Sequence, residues 1–186
     1  MVPIAALWIP ILLSAVIVFV ASSILHMVLP FHKSDYRKLP EEDKVLDVLR
    51  GVGLTPGPAY CFPHSTHKEM KSPETAERFK RGPVGLLTVM PSGLPAMGKF
   101  MGLWFLYSVV VGIFAAYLTG RTLGPGTPYL QVFRVAGTTA FLGYSLAHIQ
   151  DSIWKGQPWG VTAKHIIDGL IYGLLTAGTF GWLWPR

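Results

Sequence analysis

The hydrophobic and polar positions of this chain fall into long blocks. Residues 4–31 and 100–120 contain no Asp, Glu, Lys or Arg, and residues 129–153 and 161–184 are nearly as apolar. Since a transmembrane helix needs about 20 mostly apolar residues, this pattern predicts four membrane spans. We therefore predict an all-α integral membrane protein, a four-transmembrane-helix bundle with a small cytoplasmic insert between helices 1 and 2.

The same blocks define the predicted domains. Residues 1–31 form the first transmembrane helix, residues 32–96 form the insert, and residues 97–186 form a unit of three transmembrane helices. The first helix lacks the positively charged start of a secretory signal peptide, and its apolar run is too long for one. We expect it to remain as a membrane helix.

Composition agrees with lipid as the surrounding medium. Charged residues make up 14% of the chain, against about 25% in an ordinary soluble domain. The single cysteine excludes an internal disulfide. The formal net charge is +6, but no nucleic-acid-binding motif accompanies it, so we expect the lipid bilayer and not nucleic acid as a partner.

The positions of the basic residues predict the orientation. Most of them lie in the insert or around the turn between helices 3 and 4, and only Arg121, Arg134 and Arg186 fall on the opposite side. The positive-inside rule then places residues 32–96 in the cytoplasm and both termini outside. We expect a multi-pass protein of a bacterial inner membrane.

The insert carries signals for short elements. The stretch at 40–51 has acidic residues in its first turn and Gly51 near its end, which predicts a helix. Ser72 is the expected N-cap of a second helix that ends at Gly82. Residues 57–63 and 82–91 each follow a Gly-Pro pair, and we expect them to pair as a ribbon.

Small residues predict close helix packing. Gly169, Gly173, Ala177 and Gly181 recur every four residues on helix 4 and form one stripe, as expected where membrane helices approach closely. Helices 3 and 2 carry similar sets, namely Ala136, Ala140, Gly143 and Ala147 on helix 3, and Gly98, Gly102, Ser108, Gly112 and Ala116 on helix 2. We expect helices 3 and 4 to form a tight antiparallel pair.

Two polar pairs flank the turn between these helices. His148-x-x-Asp151 and His165-x-x-Asp168 each place a histidine and a carboxylate on one helix face. His26 lies near the same end of helix 1, so all five side chains are expected at one level of the bundle. Ionisable residues inside a membrane segment indicate a functional site by default.

Several roles remain open for this cluster. The pairs could simply hydrogen-bond helices together, or His26, His148, Asp151, His165 and Asp168 could bind a divalent metal such as zinc, iron or manganese. A haem held by His26, His148 or His165 is a third alternative, although the glycine stripe leaves little room for one. A fourth is proton or substrate translocation. Cys61, His64 and His67 form a separate candidate metal site in the insert.

The leading functional hypothesis is a non-catalytic accessory or assembly subunit of a larger membrane complex. The chain is small and shows no recognised catalytic motif, and a helix 2 face with Trp104, Phe105, Tyr107 and Phe114 could meet other membrane-protein subunits. The alternative is a metal-dependent (or haem-binding) membrane enzyme with a His/Asp site at the cytoplasmic end of the bundle. Whether the protein is an enzyme is left open by the sequence.

Overall fold

A computed structural model describes all 186 residues, of which 67% are helical, so the predicted mostly helical fold is confirmed. The helices are α1 (Trp8–Ser23), α2 (Glu42–Gly51), α3 (Pro73–Arg81), α4 (Met97–Thr122), α5 (Tyr129–Ser145), α6 (His148–Lys155) and α7 (Trp159–Trp182), and the strands are β1 (Ala59–Phe62) and β2 (Gly85–Thr88). A 3₁₀ turn precedes α1, and a π turn, Ile24–Val28, follows it.

The chain forms two compact units. One contains Met1–Asp35 and Ala96–Arg186, and the other contains Tyr36–Pro95. The first unit therefore retains residues 32–35, which the sequence had placed at the start of the insert, because His32 and Asp35 contact side chains of α7.

Two segments are long and apolar enough to cross a membrane, Ile4–Val28 and Met97–Thr122. The third predicted span is divided, since α5 ends at Ser145 and α6 begins at His148. The fourth corresponds to α7, which carries Lys164, His165 and Asp168 in its first half. Membrane crossing by each of the four segments stays a prediction.

Small residues allow the helices of the first unit to approach closely. The most extensive packing joins α5 and α7, and α1 packs against both α4 and α7. A β-carbon at Gly173 would lie 3.2 Å from the backbone nitrogen of Phe141, and one at Gly112 would lie 3.3 Å from the carbonyl oxygen of Ile11. In the small-residue set predicted on helix 2, Gly98 and Gly102 make no such close approach, because a β-carbon there would meet no neighbouring atom.

The second unit contains the short elements that the sequence predicted. Helix α2 ends at Gly51, and α3 begins at Pro73 directly after its N-cap, where the Ser72 hydroxyl oxygen accepts a hydrogen bond of 3.1 Å from the Thr75 backbone N–H. Strands β1 and β2 pair antiparallel, with Tyr60 opposite Leu87. The predicted helices and ribbon of the insert are confirmed.

Because α5 and α7 pack closely, two glycine-to-alanine substitutions on α7 should affect thermal stability differently. Gly169→Ala would place a methyl group onto the Ser145 side chain and 3.1 Å from the Tyr144 carbonyl carbon, and overpacking of this kind costs about 1–3 kcal/mol. Gly160→Ala would meet no neighbouring atom. We expect Gly169→Ala to lower the thermal unfolding midpoint in detergent, followed by circular dichroism, and Gly160→Ala to leave it unchanged or slightly raised. Equal midpoints would contradict the close approach.

Candidate metal centre

The backbone after α1 turns back on itself and brings two histidines together. The Leu29 N–H donates to the Ile24 carbonyl at 3.0 Å, which closes the π turn around His26. Leu29 is extended, as expected for a residue before a proline, and Pro30 begins a 3₁₀ turn that ends at His32. The rings of His26 and His32 consequently stack with centroids 4.1 Å apart and planes within 6° of parallel.

These rings face Asp168, which α7 supplies from its buried side. Asp168 is 3% exposed. Its Oδ2 atom lies 3.1 Å from His32 Nε2, 3.9 Å from His26 Nε2 and 4.0 Å from His165 Nδ1. The 3.1 Å contact between His32 Nε2 and Asp168 Oδ2 does not have hydrogen-bond geometry, so His32 Nε2 and both carboxylate oxygens are left without a hydrogen-bond partner. A buried polar atom without a partner is unusual and calls for an explanation such as an ion or water.

The other nitrogen of each stacked ring, Nδ1, is already hydrogen-bonded to an oxygen atom. His26 Nδ1 lies 3.0 Å from the Ser22 carbonyl oxygen, and His32 Nδ1 lies 2.6 Å from Asp35 Oδ2. A carbonyl or carboxylate oxygen can only accept, so both Nδ1 atoms carry the proton, and in the neutral rings each Nε2 presents a lone pair. Two nitrogen lone pairs and a carboxylate oxygen therefore lie within 4.8 Å of one another, an arrangement that a bound cation would stabilise.

Lys164 anchors the segment that carries His32. Its ammonium group donates hydrogen bonds to the Phe31 carbonyl oxygen at 2.7 Å, to the Ser34 hydroxyl at 2.8 Å and to Asp35 Oδ1. Burial acts to raise the pKa of Asp35, but the hydrogen bonds from Lys164 and His32 and the positive charge of Lys164 together outweigh it, so this pKa lies below its ordinary value. Asp35 is thus ionised at neutral pH and orients the His32 ring.

The donor set suits a transition metal. One ligand atom each from His26, His32 and Asp168 lies within 4.8 Å of the others. Imidazole nitrogen with carboxylate oxygen suits zinc, iron or manganese. In a tetrahedral zinc site with bonds of about 2.0–2.1 Å, neighbouring ligand atoms are about 3.3 Å apart. The spacing of 3.1 Å between His32 and Asp168 is close to that value, and His26 would have to move inward.

Only some of the site residues predicted from the sequence lie at this centre. His26, His165 and Asp168 lie together, and His148 stacks on His165 with centroids 4.7 Å apart. Asp151 is not in the group of ligand atoms around Asp168; its Oδ1 pairs with Lys155 at 2.6 Å and its Oδ2 lies 4.0 Å from His148.

Two residues of the centre, His32 and Asp35, were missed by the sequence analysis. The available signal was their spacing, because His32-x-x-Asp35 repeats the pattern of the two other His/Asp pairs. The candidate site of Cys61, His64 and His67 is not brought together as a set of ligands.

A cavity of about 490 Å³ adjoins the centre. His26, His148, His165 and Asp168 line one part of it, and the remaining lining is mostly aromatic or apolar, namely Met27, Met101, Trp104, Tyr107, Tyr144, Ala147 and Tyr172, with Ser22, Ser23 and Gly143. Trp104 donates to the Ser22 hydroxyl at 2.7 Å, and Tyr107 donates to the Gly143 carbonyl. The centre is therefore open to a molecule held in this cavity.

No family model, curated protein or solved structure matches this chain.

The anchoring role of Lys164 predicts a local effect of its removal. In Lys164→Gln, the buried Asp35 carboxylate loses its cation, and residues 30–35 lose a charge-assisted hydrogen bond of about 1.5–3 kcal/mol. We expect the backbone amides within this segment to exchange hydrogen about tenfold faster or more. The matched control is Lys155→Gln, which removes only an exposed ion pair with Asp151 and should leave exchange there unchanged. Equal exchange in the two variants would contradict the anchor.

Proposed function

We propose that this protein is a metal-dependent membrane enzyme that binds a divalent transition-metal ion through His26 Nε2, His32 Nε2 and Asp168. The observation that carries the proposal is the buried Asp168 carboxylate, which has no hydrogen-bond donor and is faced by two histidine nitrogens whose opposite nitrogens are held by acceptors. The ordered carboxylate at Asp35 supports it, since ligating histidines commonly donate their second N–H to a carboxylate or carbonyl.

A metal ion accounts for the three groups better than a shared proton does. A proton could join His32 to Asp168 across 3.1 Å, but it would not draw in His26 Nε2, which lies 3.9 Å from the same carboxylate oxygen. An ion coordinates all three at once. The His26 side chain is 42% exposed, so its ring has freedom to move the short distance that ligation requires.

Three protein ligands leave a coordination position for water or substrate, which is typical of catalytic and not of structural zinc sites. An ion there lowers the pKa of a bound water or polarises a substrate oxygen. His165, whose Nδ1 lies 4.0 Å from Asp168 Oδ2, is the nearest imidazole outside the ligand set. We assign it the role of general base.

The membrane topology that we propose is the one predicted from the sequence. We propose that all four apolar segments cross the bilayer, with residues 32–96 in the cytoplasm and both termini outside. The packing of α1, α4, α5 and α7 within one unit supports this, as do the large apolar side chains that it leaves exposed, including Leu103, Leu106, Ile113 and Phe114 on α4. Contiguous exposed apolar surface of this kind is suited to contact with lipid.

The hypothesis of a non-catalytic accessory subunit stays a prediction. Of the α4 residues suggested to meet a larger partner, Trp104 and Phe105 pack inward, against Ser22 and Phe19 respectively, and Phe114 remains exposed. Native mass measurement in mild detergent tests it, because an accessory subunit is recovered in a larger complex and an independent protein is not.

The metal content of purified variants distinguishes the candidate ligands that the structure groups together from the set predicted by the sequence. Wild-type protein purified in detergent should carry a stoichiometric ion by elemental analysis, and His32→Ala and Asp168→Asn should lose it while remaining inserted in the membrane. Asp151→Asn is the matched control, since Asp151 belongs to the other pair and faces Lys155. Retention in Asp168→Asn, or absence of metal from the wild type, would overturn the proposal.

Two spectra then separate a catalytic site from the alternatives. In cobalt-substituted protein, added azide should change the visible absorption bands, because an open coordination position accepts it. Unchanged bands would indicate a closed structural site and contradict the enzyme. A Soret band in protein as purified would favour the haem alternative.

A further inference from the structure

The walls of the cavity beside the candidate metal centre are mostly apolar, and two of their polar groups are already hydrogen-bonded. The Trp104 N–H is held by Ser22, and the Tyr107 hydroxyl is held by Gly143. Trp104, Tyr107, Tyr144 and Tyr172 also pack on one another with ring centroids 5.4–6.0 Å apart. Apart from the Tyr172 hydroxyl, such a surface offers contact area and few hydrogen bonds, so it suits the apolar part of a ligand.

The polar groups of the cavity are concentrated at the metal centre. His26, His148, His165 and Asp168 contribute to its lining there. Tyr172 also lines the cavity, and its hydroxyl group is buried and has no hydrogen-bond partner. A ligand in this cavity would therefore meet an apolar wall along its body, and the candidate metal centre with the Tyr172 hydroxyl donor at its head.

The rim indicates where such a ligand comes from. Met27 is 72% exposed and Tyr107 is 41% exposed, and Gly143 and Ala147 at the rim are exposed as well. These residues lie on the sides of α1, α4 and α5 or in the turn that follows them, so the cavity opens laterally. In a protein whose helices cross a bilayer, a lateral opening faces lipid.

We infer that the cavity binds the chain of a single-chain amphiphile that enters from the bilayer, and that the oxygen-bearing head group of this amphiphile reaches the metal at His26, His32 and Asp168. The inference rests on the proposed function and names its substrate class. A volume of about 490 Å³ lies within the range of about 300–1,000 Å³ for small-molecule sites. It suits one chain and not a two-chain phospholipid.

The test compares a long and a short chelator on cobalt-substituted protein in lipid nanodiscs. Acetohydroxamic acid carries the metal-binding oxygens alone, and dodecanohydroxamic acid adds an alkyl chain. The visible cobalt bands report the head group at the metal. We expect the long probe to change these bands at a concentration lower by about tenfold or more, because its alkyl chain buries apolar surface that the short probe lacks.

Two variants separate the cavity from partitioning of the long probe into lipid. Ala147→Phe fills the cavity and should remove the advantage of the long probe without altering the response to the short one. Leu142→Phe is the matched control on α5, since Leu142 is exposed and does not line the cavity, and it should keep the advantage. Met27→Trp narrows the rim at an exposed position and gives the same test if Ala147→Phe does not fold.

The outcomes distinguish this inference from the proposed function. If the ion is present and both probes act at equal concentrations, or if the cavity variants and Leu142→Phe respond alike, the inference is overturned and the metal centre stands. If elemental analysis finds no ion in the wild type, the proposed function fails and the inference fails with it.

Discussion

The buried carboxylate of Asp168 is the constraint on which the candidate site depends. A carboxylate removed from water carries a desolvation penalty of several kcal/mol, which must be offset by a positive charge or by hydrogen bonds. Here the hydrogen bonds are absent and the nearest groups are imidazole nitrogens. Each further feature of the site, from the stacked rings to the lysine that orders Asp35, can be understood as positioning electron-pair donors around one point.

The sequence predicted the part of this site that follows from periodicity. Asp168 and His165 occupy one face of a helix because residues three apart lie together, and the glycine stripe of the same helix indicated which face is buried. Both features follow from local geometry. The insert was predictable for the same reason, since caps, turns and Gly-Pro pairs act over a few residues.

His32 and the fate of Asp151 depend on contacts that local patterns do not encode. His32 lies beyond Pro30, where a helix pattern ends, and only the reversal of the chain there returns its ring to His26. Asp151 has the same spacing from its histidine as Asp168 has, but it pairs with Lys155 on its own helix α6 and is not among the ligand atoms grouped with Asp168. Three identical His-x-x-Asp spacings thus have three different surroundings, which are set by tertiary structure.

The π turn at Ile24–Val28 makes this arrangement sensitive to chain length. It holds one residue more than an α-helical turn, and it forms the end of the membrane-length segment Ile4–Val28, shortly before the Pro30–His32 turn. Loss of a single residue here would restore the regular register and rotate everything that follows by about 100° around the helix axis. Homologues that keep the centre should therefore tolerate substitutions in this turn far better than they tolerate insertions or deletions.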